Sequence, residues 1–180
     1  AAIMIGAIPT GIYATCSPQE VAYILNHSEA SVLLLESTEQ WDKIVLERNN
    51  LQFLKHVIGM IRCEDIDDGM TCTWQSFLKM GSEKEKNAAE DLYKQTVNDE
   101  PATFIYTSGT TGPPKAVMLS NQNLVWTASQ AIDMLKLSSD NTSLSYLPLS
   151  HIAEQMFTIH APIIAGWKVY FGTGILDVLD

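Results

Sequence analysis

No apolar run in this sequence reaches the roughly 18 residues that a membrane-spanning helix requires, which argues against a helical span within it. Its first residues, Ala1-Ala-Ile-Met-Ile-Gly-Ala-Ile8, lack the basic region and cleavage site of a signal peptide. Cysteine is scarce: Cys16, Cys63 and Cys72 are odd in number, form no C-x-x-C pair and have no histidine at ligand spacing. Neither a disulfide framework nor a zinc site is expected, and no metal ligands are assigned. Positive charge is also short, 11 Lys and Arg against 21 Asp and Glu, with no basic stripe to neutralise phosphates along a nucleic acid. The expectation is a cytoplasmic protein, with peripheral membrane attachment and oligomeric state left open.

What is present is the composition of a globular domain, 46% hydrophobic and 18% charged. The net charge of −10 is uneven, because residues 63–100 carry ten acidic and four basic side chains. That stretch reads as an acidic, mostly surface segment. Around it the pattern alternates. Thr10–Thr15 reads as a short strand, and Ser17-Pro-Gln-Glu20 opens a helix with an N-cap serine, a proline in the first turn and a capping-box glutamate. Ser31–Leu35 is an apolar run suited to a strand covered on both faces, Thr38–Asn49 a helix with Trp41, Ile44 and Val45 inward, and His56–Ile61 a strand.

Residues 62–100 give only short helices, with Trp74, Phe77 and Leu78 as anchors. Beyond them come a strand at Ala102–Thr107, a short strand at Ala116–Leu119 and a helix from Asn121 to Lys136. Thr142–Leu147 is a strand, and Ser150 is expected to cap a helix with Ile152, Met156, Ile159 and Ile163 inward, ended or kinked by Pro162. Trp167–Phe171 is the last strand. The alternation predicts an α/β fold with parallel sheets and crossover helices.

One stretch carries chemistry. Tyr106-Thr-Ser-Gly-Thr-Thr-Gly-Pro-Pro-Lys115 concentrates hydroxyls, glycines and one lysine between two strands, which supplies backbone N–H groups and neutral donors to a polyphosphate. It is not a Walker A loop. Counted from Gly109, Pro114 stands where the second glycine belongs and Ala116 where the Ser or Thr belongs.

The stretch from Tyr106 to Ser120 resembles closely the phosphate loop of the adenylate-forming superfamily: acyl-CoA synthetases, luciferases and peptide-synthetase adenylation domains. Within it, Ser145-Tyr-Leu-Pro-Leu-Ser-His-Ile-Ala-Glu154 resembles the second signature of long-chain and bubblegum-type acyl-CoA synthetases, and Gly11–Glu20 is similar to a segment of the same branch. The resemblance implies a partial N-terminal domain of an adenylate-forming enzyme over residues 1–180, without the C-terminal lid domain. It implies activation of a long-chain fatty acid by ATP and Mg2+ to an acyl-adenylate, then transfer to coenzyme A. The resemblance implies that Thr107, Ser108, Gly109, Thr110, Thr111 and Gly112 line the pyrophosphate, with Lys115, the catalytic lysine, near its terminal charge or bracing the loop. His151 is placed beside the acyl carboxylate, and Glu154, on the same helical face, is positioned to orient it. His160, nine residues on, falls on roughly the opposite face and reads as structural; Trp126 and Trp167 read as core or pocket wall.

Two positions depart from the family. Ala116 follows the lysine where glycine is usual, a change that costs roughly 1 kcal/mol or more if the backbone there has positive φ and little if it is extended. Asn121 stands where histidine is common and is expected to cap the following helix. Two other readings stay open: an adenylate-former for a different acid that passes the acyl group to a carrier protein, and a non-catalytic nucleotide-binding or scaffold protein.

Overall fold

The computed structural model describes residues 1–63, 66–107 and 112–172, which divide into two compact units. Residues 12–90 form one; residues 1–11 and 91–180 form the other.

In the first unit, helix α1 (Pro18–His27) starts as its sequence dictates. Ser17 Oγ accepts from the Glu20 N–H at 3.3 Å and Glu20 Oε2 accepts from the Ser17 N–H at 2.8 Å. These bonds to Ser17 hold the Glu20 carboxyl below the usual carboxylate range. Strand β1 (Val32–Leu35), helix α2 (Thr38–Glu47), strand β2 (His56–Gly59) and strand β3 (Thr71–Thr73) follow. They build a parallel sheet ordered β1-β2-β3, with Leu33 opposite Val57 and Ile58 opposite Cys72. Its core joins Val21, Leu25, Leu35, Ile44, Val57 and Cys63. Strand β3 was not expected, being three residues of Thr-Cys-Thr within an acidic stretch. Coverage of β1 is one-sided: Leu35 is buried, whereas Val32 and Leu34 are half exposed on the other face. Val45, expected inward on α2, is also half exposed. Helix α3 (Trp74–Leu78) leaves Phe77 and Leu78 exposed, so only half-buried Trp74 fits the role of an anchor. The amphipathic but wholly unburied α4 (Glu83–Gln95) runs across the division between the units.

In the second unit, β4 (Pro101–Thr107) pairs antiparallel with β5 (Lys115–Ser120). Helix α5 (Asn121–Leu135) follows at once. Its cap is Ser120, in a reciprocal box with Asn123, and Asn121 is its first residue, which corrects the expectation that Asn121 caps it. Strand β6 (Thr142–Ser145) pairs parallel with β7 (Lys168–Phe171) across a helical crossover. The expected strand at Thr10–Thr15 shrinks to one bridge, Thr10 with Phe104. A core of Ala102, Leu124, Ala128, Met156, Ala161 and Trp167 joins β4, α5 and the crossover. Among the described residues no helix is long and apolar enough to cross a membrane.

The crossover is three segments where one helix was expected: α6 (Ile152–Gln155), a π turn at Met156–His160 and α7 (Ala161–Ala165), ended by Gly166 at φ 84°. Pro162 explains the change. In the π register the Ala161 N–H reaches the Met156 carbonyl, and the next donor in line, at residue 162, does not exist. The Phe157 carbonyl instead accepts from Ser143 Oγ on β6 at 3.3 Å, and Ser143 Oγ accepts from Trp167 Nε1 at 3.0 Å. A side-chain relay across the sheet thus replaces the missing backbone bond. The turn also shifts the apolar stripe: Met156 is buried, but Ile163 is exposed.

Two outcomes are expected. Ser143→Ala strands the buried Trp167 indole N–H, while water can replace the exposed bond to the Phe157 carbonyl, so it should lower unfolding free energy by about 1–3 kcal/mol in urea titrations. His160 Nε2 is buried without a partner among the described residues, and burial pushes its imidazole below the ordinary histidine range. The unfolded chain therefore binds a proton that the folded chain refuses. Stability should fall as pH drops below about 6.5, and His160→Leu should flatten that slope in thermal melts between pH 5 and 8.

Candidate functional site

The β4–β5 hairpin presents the phosphate-loop sequence. Buried Ala102, Thr103, Ile105 and Tyr106 fix β4 in the unit, so its last residue, Thr107, emerges at a set place. The register pairs Thr107 with Lys115 and Tyr106 with Ala116. Both Thr107 and Lys115 are exposed, and Thr107 Oγ1 points back to the Lys115 carbonyl at 3.5 Å. Among the described residues no ion pair engages the Lys115 ammonium. Gly112 has φ 97°, a backbone that disfavours any side chain, and a Cβ built there would meet nothing within 4 Å. The requirement at Gly112 is therefore conformational, not steric. Ser108, Gly109, Thr110 and Thr111, the other expected phosphate contacts, lie outside the described residues.

Ala116 resolves one question left by the sequence. It is an extended residue inside β5, and the described non-glycine residues with positive φ are Glu29, Arg62 and Lys136. The methyl group replaces the family's usual glycine without backbone strain.

The second signature ends in a turn that aims His151. Its backbone N–H donates to the Pro148 carbonyl at 2.9 Å, closing Pro148–His151. His151, and not Ser150, is the N-cap of α6: its Nδ1 accepts from the Ala153 N–H at 3.2 Å. A ring that accepts at Nδ1 carries its proton on Nε2. The exposed imidazole thus presents an N–H donor outward, held by the helix it caps.

Glu154 shares the turn but not the ring. Its carboxylate is buried and accepts from Thr158 Oγ1 at 2.7 Å; among the described residues no hydrogen bond joins it to His151. What Glu154 holds is the turn behind the histidine. Gln155 closes the same loop, its Nε2 donating to the Leu149 carbonyl at 2.7 Å. Ser150 is buried, and its Oγ has no partner among the described residues.

Sequence reasoning missed Gly11. A Cβ built on it would lie 2.6 Å from Ser150 Cα, so the two backbones touch directly beside His151. A glycine flanking a strand-like segment can signal close backbone approach, but nothing in sequence names the partner. Of the two tryptophans read as core or pocket wall, Trp167 is core and Trp126, exposed on α5, lines an open groove with Asn98, Gln122 and Ser129.

The profile of the AMP-binding enzyme family matches residues 1–179. The chain is similar to the long-chain-fatty-acid–CoA ligase ACSBG2 of Homo sapiens, at 37% identity over 94% of this chain and 26% of the relative. It is likewise similar to ACSBG1 of Macaca fascicularis, at 35% identity over 94% of this chain and 24% of the relative. It therefore spans about a quarter of the length of these curated relatives. Among solved structures, the anthranilate CoA ligase AuaEII in complex with anthranoyl-AMP superposes with a TM-score of 0.76 at 22% identity, over 97% of this chain and 32% of that one. ATP-bound MatB from Rhodopseudomonas palustris gives 0.69 at 18% identity, over the whole of this chain and 33% of its own. The α/β fold with parallel sheets is the one these two solved structures share. With the hairpin, the left-handed glycine and the histidine turn in place, the chain belongs to the AMP-binding enzyme family.

Proposed function

We propose that the protein carrying this chain activates a long-chain fatty acid with ATP and transfers it to coenzyme A, releasing AMP. The observation that carries this reading is the hairpin itself, with Lys115 unpaired among the described residues opposite Thr107, in a chain 37% identical to a fatty-acid–CoA ligase. The fatty carboxylate attacks the α-phosphorus, the bond to the β-phosphate oxygen breaks, and pyrophosphate leaves with the electron pair. The coenzyme A thiolate then attacks the acyl carbon and expels AMP.

Negative charge accumulates on the leaving pyrophosphate, so donors fixed beforehand lower the barrier. Thr107, Ser108, Gly109, Thr110, Thr111 and Gly112 supply these donors, and Lys115 supplies the cation. His151 contributes an Nε2–H suited to a carboxylate oxygen, while Glu154 acts at one remove by holding Thr158. Among the described residues no three His, Cys, Asp or Glu side chains gather as a metal cage. A magnesium ion would thus arrive with the triphosphate as part of the substrate. Residues 1–180 form the phosphate-binding part of the active domain, residues 63–100 an acidic, mostly surface segment within it that also supplies Cys63 to the core and β3 to the sheet, and acyl-CoA formation requires the longer protein. We place that protein in the cytoplasm.

Pyrophosphate exchange by the full-length protein across a panel of acids tests the reading. Palmitate-like chains should stimulate exchange; stimulation by aryl or amino acids alone would move the protein to another adenylate-forming class, and no exchange with any acid would favour a scaffold. Lys115→Ala should reduce exchange by about 10²-fold or more, the scale of losing one preorganised charge-stabilising group. An unchanged rate removes the role given to Lys115. Ala116→Gly should leave the KM for MgATP within about twofold, since an extended residue needs no glycine.

A further inference from the structure

The segment Pro9–Gly11 touches both halves of the candidate site. Thr103 Oγ1 donates to the Pro9 carbonyl at 2.8 Å, the Phe104 N–H donates to the same carbonyl at 3.2 Å, and Thr10 Oγ1 donates to the Phe104 carbonyl at 2.9 Å. Three bonds thus fix the segment to the outer edge of β4, three residues before Thr107. One residue later the chain meets the histidine turn. A Cβ on Gly11 would stand 2.6 Å from Ser150 Cα, 2.9 Å from Ser150 Cβ and 3.3 Å from Ser150 N. Two of those three atoms are backbone, so no flexible side-chain end can move aside. Ser150 is buried and joined directly to His151, whose own N–H is committed to Pro148.

We propose that Pro9–Gly11 is a strap that sets His151 against the loop-bearing strand, with Gly11 and Thr10 as positioning residues. The proposal rests on the roles given above to His151 and the loop. The strap is bonded to β4 but only packed against the turn. Anything that thickens it at Gly11 therefore displaces the turn and leaves the hairpin where it is. Displacement of a reacting group by about 1 Å can cost 10²-fold in rate, so a contact remote from the chemistry can control it.

The test is steady-state pyrophosphate exchange by the full-length protein carrying Gly11→Ala, Thr10→Val or Thr10→Ser. Gly11→Ala should lower kcat by about tenfold or more while the KM for MgATP stays within about threefold, because the phosphate loop is not moved. Thr10→Val should lower kcat in the same direction, and Thr10→Ser, which keeps the hydroxyl, should restore it. In a His151→Ala background, Gly11→Ala should cost nothing further, since the strap acts through that ring. Losses that multiply in the double variant, or a KM for MgATP that rises as much as kcat falls, overturn the proposal. If Gly11→Ala does not melt cooperatively, the Thr10 pair decides, and Thr10→Val at the wild-type rate overturns it. Exchange unaffected by His151→Ala would overturn the histidine's role and the strap together. Exchange impaired by His151→Ala but normal in the strap variants overturns the strap alone.

Discussion

Strand β4 is hydrogen-bonded on both edges, and the candidate site depends on that constraint. On one side it runs antiparallel to β5, which returns Lys115 to Thr107. On the other, Phe104 uses both its N–H and its carbonyl on Pro9 and Thr10. A strand satisfied on both edges, with Ala102 in the core beneath it, has no register to slip into. The exposed hairpin end can therefore be rich in glycine and hydroxyls without losing its place.

The histidine turn is held by a different logic. Proline in the crossover removes a backbone donor, and the structure answers with a π turn, a serine on the neighbouring strand and a buried indole. Met156, at the start of that turn, is core, and His151 caps the short helix leading into it. The imidazole is thus oriented by the backbone it caps, and among the described residues no carboxylate bonds it. Glu154 lies on the expected helical face, yet its hydrogen bond goes onward to Thr158. A three-residue spacing brings two side chains to one face without deciding which neighbour each will bond.

Local signals were legible where a single interaction decides the outcome. Ser17 and Glu20 announce their capping box because all its partners lie within four residues, and the β4 and β5 strands follow from short apolar runs bounded by the Gly-rich stretch. Reading failed where a distant partner decides. Val32 and Leu34 look identical to Leu33 and Leu35 in sequence, but only one face of β1 is covered in its unit. Thr71–Thr73 becomes a strand because β2 offers an edge, not because three residues demand it.

Residue type and spacing alone set the chemistry available: a phosphate-loop composition that fails the Walker pattern, one lysine at its end, one histidine in a second signature, and helix starts fixed by short-range hydrogen bonds. Those features depend on residue type and spacing within a few positions. The packed fold settles that Ala116 sits in extended backbone, that His151 presents Nε2–H, that Glu154 serves Thr158, and that Gly11 abuts Ser150. The last is an approach between backbones far apart in the chain, and the others turn on which of several available partners or conformations a residue takes, which residue spacing does not encode.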